Sequence, residues 1–150
     1  MGCDIHIYEE GFKDGVWHLI KGDTNPNLDP DKDEYEEFWE GRNYTLFGLI
    51  AGVRDSGARA FDAVGFPDDA APETKEAYSW WGGDCHTPSH LYFEELTDFV
   101  MNKREKYTKF YYPNDDWVDW TFDILEEWVQ QMGYDVKGYD DIRLVFWFDS

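Results

Sequence analysis

The first ten residues of the chain constrain its fold most, because apolar and polar side chains alternate along them. Successive side chains of a β-strand point to opposite faces of the sheet. The segment therefore predicts an N-terminal strand with one face in the core and a second face that carries a carboxylate, an imidazole and a phenol. The apolar and polar sets are Cys3, Ile5 and Ile7 against Asp4, His6 and Tyr8.

The last strand-like segment, Asp141 to Asp149, shows the same alternation. If both terminal strands share one sheet with their apolar faces on the helices, their polar sets lie on the same sheet face. That convergence predicts a functional site, whereas the plainer reading is an ordinary solvated sheet face. The two sets of the last strand are Ile142, Leu144, Phe146 and Phe148 against Arg143, Val145, Trp147 and Asp149.

The residues between the terminal strands predict the rest of the architecture. Lys13-Asp14-Gly15 is a hairpin signal that leads into a second strand, and a short helical turn is predicted at Lys75 to Trp80. Long loops are predicted at 22–33 and 55–73. Helical spacing predicts three helices, at about 43–53, 93–103 and from Asn114 or Asp115 to Gly133. The expected fold is a single α+β domain, 1–150, with a small, mainly antiparallel sheet covered on one face by about three helices.

Charge limits the classes of partner. The chain has 33 acidic and 13 basic residues and a formal net charge of −20, which argues against direct contact with nucleic-acid backbone or an anionic membrane surface. No apolar run reaches the length of a membrane span. The two cysteines, Cys3 and Cys85, are too few for a disulfide framework, so we expect a reduced, cytoplasmic protein without a bridge between them.

Arginine is scarce, and its positions predict an anion site. Arg42 and Arg54 bracket the first predicted helix, and Arg143 lies on the polar sheet face. Guanidinium groups bind phosphate in bidentate fashion. The leading prediction is a pocket for a small, anionic, nucleotide-like ligand that the protein holds or cleaves. Its predicted ligand-binding residues are Arg42, Tyr44, Arg54, Arg143, Trp147 and Asp149, and its predicted catalytic residues are Asp4, His6 and His86.

Two other functions stay open. Asp4 and His6, with Cys85-His86, provide ligand types for a transition metal, so a metal-dependent hydrolase with a divalent ion is one alternative. The spacing matches no paired Cys-x-x-Cys or His-Glu-x-x-His motif. The second alternative is an acidic interaction protein that imitates DNA and occupies a nucleic-acid-binding partner. The sequence leaves oligomeric state open, including a homo-oligomer.

The chain resembles a family of small bacteriophage and bacterial proteins that begin Met-Gly-Cys-Asp-Ile-His. Val64 and Ala71 depart from that pattern, at positions where a basic residue and a serine are expected. The resemblance implies a phage or bacterial cytoplasmic setting. It implies no particular activity; by analogy alone, a phage protein of this size would act against host defence by sequestering or cleaving a host signalling nucleotide. The matching residues are Met1–His6, Arg42, Tyr44, Ile50–Arg54, Gly65–Asp69, His86, Ser89, Leu91, Glu95-Leu96 and Arg143–Asp149.

Overall fold

A computed structural model describes residues 2–22, 36–54, 59–110 and 116–150, without the side chains of 36, 108–110, 116 and 117. The loop predicted at 22–33 and the helix start at Asn114 or Asp115 lie largely or wholly outside these residues. The strands are β1 (Asp4–Lys13), β2 (Val16–Gly22), β3 (Glu36–Glu37), β4 (Cys85–Tyr92) and β5 (Asp141–Asp149). The helices are α1 (Tyr44–Ala51), α2 (Pro72–Trp81), α3 (Phe93–Asp98), α4 (Arg104–Phe110) and α5 (Asp116–Asp135).

The sheet is centred on the two terminal strands. Its order is β3-β2-β1-β5-β4, and β1 pairs antiparallel with β5 from Asp4 opposite Asp149 to Phe12 opposite Asp141. The predicted hairpin turn joins β1 to β2 at Asp14 and Gly15, whose φ values of 55° and 81° suit a tight turn. The predicted adjacency of the terminal strands is confirmed, and among the described strands only the short β3 runs parallel to its neighbour.

One sheet face carries the main hydrophobic core. Ile5 and Ile7 of β1 and Leu144 and Phe146 of β5 are buried there, as predicted. α1, α3 and α5 pack on this face through residues such as Phe47, Leu96 and Trp128. The predicted α+β fold with three principal helices on one face is therefore confirmed, and we call this side the core face.

The opposite face holds a second, smaller apolar cluster. Tyr8, Val145 and Trp147 are buried under Ala77 and neighbouring residues of α2. The sequence predicted only a short turn near Lys75, but α2 begins at Pro72, where proline suits the first helical position. We call this side the α2 face. It is partly covered and is not an ordinary solvated sheet surface.

The strand β4 was not predicted, because its segment contains a proline. Its pairing with β5 shifts register between His86 and Ser89, and Thr87 has a φ of 52°. Pro88 has no N–H to donate, and a bulge is where a sheet tolerates such a residue. The predicted metal-ligand pair Cys85-His86 therefore begins the edge strand of the sheet.

Two helix ends differ from the prediction. After α3 the chain continues through a π-helical stretch, Phe99–Lys103, into α4, so the helix runs past the predicted end at Lys103. α5 passes through Gly133 and ends at Asp135. A glycine weakens a helix by only about 1 kcal/mol, and burial of the preceding Met132 favours helix at this position. No described helix is both long and apolar enough to cross a membrane.

Candidate functional site

Strand pairing arranges the side chains of the α2 face in rows across the sheet. Rows are two residues apart along each strand, or roughly 7 Å. The first two rows place the predicted Asp4, His6, Trp147 and Asp149 side by side at one end of the sheet. The rows are Asp4–Asp149–Cys85, His6–Trp147, Tyr8–Val145–His90 and Glu10–Arg143–Tyr92.

His6 is held by a carboxylate from the neighbouring strand. Its Nε2 lies 2.5 Å from Asp149 Oδ2, a short hydrogen bond in which the imidazole N–H donates to the carboxylate. The imidazole also stacks against the indole of Trp81 at the end of α2, with 4.2 Å between ring centroids. The side chains of His6 and Asp149 are 12% and 24% exposed. These contacts fix the imidazole close to the surface, as acid–base chemistry requires.

Arg42 holds the other carboxylate of the first row. Its Nε and Nη2 donate to Asp4 Oδ1 over 3.0 Å and 2.7 Å, and these hydrogen bonds together with the carboxylate charge raise the pKa of Arg42. A Cβ added to Gly2 would lie 2.4 Å from Arg42 Nη1, so the glycine leaves room for the guanidinium. Because Asp4 and Asp149 are cross-strand partners, Arg42 and His6 bind adjacent carboxylates.

Tyr44 and Arg54 lie at the same end of the sheet. The backbone N–H of Cys3 donates to the Tyr44 hydroxyl over 3.1 Å. The Arg54 guanidinium stands over the Tyr44 ring, 5.3 Å from its centroid. Asn43 caps α1, because its side-chain oxygen accepts a hydrogen bond from Leu46 N, and the helix starts beside the first residues of β1. The start of α1 thus places Arg42 and Tyr44 at the N-terminal end of β1.

Cys85 completes the first row but is not an activated nucleophile. Burial raises the pKa of its thiol, and the negative charges of Asp84 and Asp149 raise it further. The thiol donates a weak hydrogen bond to Gly82 O over 3.4 Å. A reactive cysteine needs the opposite shift. Both cysteines are free, and strand alternation places Cys3 and Cys85 on opposite faces of the sheet.

Arg143 lies on the α2 face, as alternation predicts, but far from this site along the strand. It lies six residues from Asp149 along β5, which is roughly 20 Å in an extended strand. Its Nε donates to Glu10 Oε1 over 2.8 Å and its Nη1 to Asp69 Oδ1 over 3.0 Å, with the guanidinium 3.9 Å from the ring centroid of Trp17. Burial among these partners makes Arg143 part of a structural ion network.

His86 lies at the same end of the sheet but on the wrong face for a site shared with His6. It pairs with Phe148 of the core face, whereas His6 pairs with Trp147 of the α2 face. Its Nε2 is 2.7 Å from Ser150 Oγ, and its ring centroid is 6.1 Å from that of Phe148. Because adjacent strand residues point to opposite faces, Cys85 and His86 cannot both face the first row.

Sequence reasoning missed two features. The sequence suggests Trp81, like Tyr44 and Trp147, as a ring that stacks on a base, but does not place it against His6. It also includes Arg143 among the ligand-binding residues, because Arg143 is a scarce arginine on the polar sheet face. The partners that bury it, Glu10 and Asp69, are distant in sequence. In the described part of the chain, no three His, Cys, Asp or Glu side chains are grouped to hold a metal ion.

Comparison with known proteins adds no relative. No protein-family model, curated protein or solved structure matches the chain. The candidate functional residues are therefore those of the first two rows of the α2 face, with Arg42, Tyr44 and Arg54 at the same end of the sheet. We call this group of residues the row-end site.

Proposed function

We propose that the row-end site binds a small, anionic, nucleotide-like ligand. The observation that carries the proposal is the meeting, at one end of the sheet, of Arg42, Arg54 and the His6–Asp149 pair. These residues come from three distant parts of the sequence, and each is held by a defined contact. The ligand class follows from the chemistry that each side chain offers.

The arginines supply the anion-binding part of the site. Arg42 is half exposed, and two of its nitrogens already bind Asp4, which orients the guanidinium. Arg54 is exposed above the Tyr44 ring, at the same end of the sheet. A planar guanidinium matches the oxygens of a phosphate group better than an ammonium does. In a chain of net charge −20, two arginines at this end of the sheet attract an anion that the rest of the surface repels.

Aromatic rings and His6 supply the remaining recognition. The Trp80 side chain is 49% exposed, and Trp81 lies between it and His6, with 5.0 Å between the two indole centroids. Indole rings at a surface stack on the flat face of a base. If the ligand is cleaved, His6 held by Asp149 is the group placed to move a proton. If it is only sequestered, the same imidazole orients it.

A thermal-shift screen against nucleotides and cyclic nucleotides, with and without divalent metals, tests the proposal. A ligand at 100 times its Kd stabilises the folded state by about 2.7 kcal/mol. Loss of a hydrogen bond to a charged group in Arg42→Gln should weaken binding roughly ten- to hundredfold. Lys103→Gln is the matched control, because Lys103 and its partner Asp98 are exposed to a similar degree. Equal affinities for both variants would end the proposal.

His6→Gln separates binding from turnover. If His6 moves a proton, the variant should still bind the ligand but fail to convert it. If the protein only sequesters its ligand, the wild type shows no product and the variant loses affinity. A variant that keeps both full affinity and full conversion removes His6 from the site.

The acidic surface favours a second candidate, the DNA-imitating interaction protein. On α5 the exposed Asp119, Asp123 and Glu127 recur every four residues, a rise of about 6 Å per step. Like charges at this spacing destabilise a helix, so the stripe opposes stability and suits a basic partner. Competition with duplex DNA for a DNA-binding protein tests this function. Replacing all three by Asn or Gln should abolish any competition.

A further inference from the structure

An open cleft of about 600 Å³ lies between the β1–β2 hairpin and the segment that leads into α2. It is separate from the row-end site, because Phe12 in its wall is six residues, or roughly 20 Å, from His6 along β1. A cleft of this size matches the usual volume of small-molecule sites. Its lining combines apolar and acidic side chains, among them Phe12, Val16, Trp17, Leu19, Asp69 and Glu73.

The floor of the cleft is aromatic. The rings of Phe12 and Trp17 are 5.1 Å apart between centroids, and the Arg143 guanidinium lies against the Trp17 ring. Val16 at the edge is 53% exposed although it is apolar. A Cβ added to Gly15 at the hairpin tip would meet no atom within 4 Å, so the mouth is open on that side. An apolar ligand body would cover side chains that water now contacts.

The polar groups at the cleft are predominantly acidic. Burial alone would raise the pKa of Asp69, but its hydrogen bond and charge interaction with Arg143 outweigh burial and lower the pKa, so the carboxylate is ionised. Glu73 stands in the first turn of α2 and offsets the positive end of the helix dipole. Arg143 is shared between Glu10 and Asp69 and is buried beneath them.

Lys75 is the one ammonium among the residues that line the cleft. The neighbouring His18 is exposed, and its Nε2 lies 3.1 Å from Lys13 O. With the buried pair beneath the floor included, the carboxylates of Glu10, Asp69 and Glu73 stand against the cations of Arg143 and Lys75. The cleft therefore carries one net negative charge, within a chain of net charge −20. The local and overall fields both favour a positively charged ligand over an anion.

We propose that this cleft binds a small organic cation, an amine or ammonium with an apolar body. The apolar body packs on Phe12, Trp17 and Leu19, which share one face of the hairpin. The ammonium lies at the mouth beside Asp69 and Glu73, close enough to the aromatic floor for a cation–π contact to add to the ion pair. This is a second ligand class, opposite in charge to that of the row-end site.

The test uses three probes that share one apolar body and differ in charge: 2-phenylethylamine, 2-phenylethanol and phenylacetate. Each is titrated into isotope-labelled full-length protein while the Trp17 indole N–H and the Leu19 methyl resonances are followed by NMR. We expect saturable shifts at both residues with the amine, weaker ones with the alcohol and none with the acid. Raising the salt concentration should weaken the binding of the amine and leave the binding of the alcohol unchanged.

Glu73→Gln and Glu76→Gln make a matched pair on the same exposed helix. Glu73 lines the cleft and Glu76, three residues further on, does not. We expect Glu73→Gln to weaken the amine roughly two- to fivefold, as for a partly screened ion pair, and Glu76→Gln to leave its affinity unchanged. Equal binding of all three probes, preferential binding of phenylacetate, or no shift at Trp17 and Leu19 would each overturn the proposal.

Discussion

The two ends of the α2 face use the same residue types and differ in burial. At one end Asp4 binds Arg42, and their side chains are 50% and 49% exposed. At the other end Glu10 binds Arg143, and their side chains are 0% and 1% exposed. Both are acid–guanidinium pairs on one face of the same sheet. The comparison shows that covering by other elements, and not residue type, separates a structural pair from a candidate site.

The position of α2 explains the difference. The segment before α2 lies over the buried pair, where Ala71 N donates to Glu10 Oε2 over 2.7 Å and Asp69 accepts from Arg143. At the opposite end of the helix, Trp81 stacks on His6 and Tyr78 packs against Trp147, but Asp4 and Arg42 stay half exposed. A buried pair is costly to break because its charges have left water. An exposed pair contributes little to stability and stays accessible to a ligand.

Removing Arg143 should have the largest effect on stability. Arg143→Met keeps an unbranched side chain but leaves the Glu10 carboxylate buried without its cation. We expect a loss of about 3–5 kcal/mol in the free energy of unfolding, measured by urea denaturation with intrinsic tryptophan fluorescence.

A double variant controls for packing. In Glu10→Gln with Arg143→Met the buried charge disappears together with its partner, so the loss should be smaller than for Arg143→Met alone. If the double variant is as unstable as the sum of the two single variants, the pair is not coupled and the comparison fails.

Asp149→Asn should have an intermediate effect, because the His6–Asp149 pair is only partly exposed. Replacing the carboxylate by an amide removes a charged acceptor, and we expect a loss of about 1–2 kcal/mol in the free energy of unfolding. Asp140→Asn, the same change at an exposed position near the start of β5, should stay within about 0.5 kcal/mol of the wild type. A loss for Asp149→Asn as large as that for Arg143→Met would remove the distinction between the two ends.

Asp69→Asn should have a small, pH-dependent effect. Interaction with Arg143 lowers the pKa of Asp69 in the folded protein. The carboxylate therefore stabilises the fold above the unfolded-state pKa of about 3.9 and loses this contribution as the pH falls through the lower, folded pKa. Because Asp69 is 67% exposed, we expect Asp69→Asn to lower the free energy of unfolding by less than about 1 kcal/mol at pH 7.

The measurement is the difference in unfolding free energy between the wild type and Asp69→Asn from pH 7 to pH 2.5. It should be constant down to about pH 4 and then shrink. Asp68→Asn changes an exposed neighbour that does not bind Arg143 and is the control. A difference that grows with acid would contradict the lowered pKa.

The sequence predicts much of the fold because period-two alternation is a local signal. Ile5 and Phe146 could be placed in the core from their own segments, and the pairing of β1 with β5 followed. β4 could not be predicted, because Pro88 reads as a strand breaker unless the bulge is known. The covering of the α2 face was also missed, since α2 has few apolar residues and is held by contacts distant in sequence, such as Ala77 with Trp147.

The sequence predicts which residues share the sheet face of the candidate site, but not which of them lie outside the site. Alternation placed Asp4 and His6 with Asp149 on one face. It could not exclude Arg143, because the same alternation holds along the whole strand and only burial distinguishes its ends. Because β4 was not predicted, alternation also could not show that Cys85 and His86 point to opposite faces, which places His86 away from His6.

Arg42→Gln should have the smallest effect on stability and completes the comparison. Arg42 is as exposed as its partner, so water replaces the lost contact, and we expect no measurable change in Tm. The same variant should lose most of its affinity for an anionic ligand, because a bidentate donor is removed. Together, an unchanged Tm and a lost ligand response would distinguish a binding arginine from the structural Arg143, for which the opposite pattern is expected. A fall in Tm comparable to that of Arg143→Met would show that both ends of the α2 face serve the fold alone.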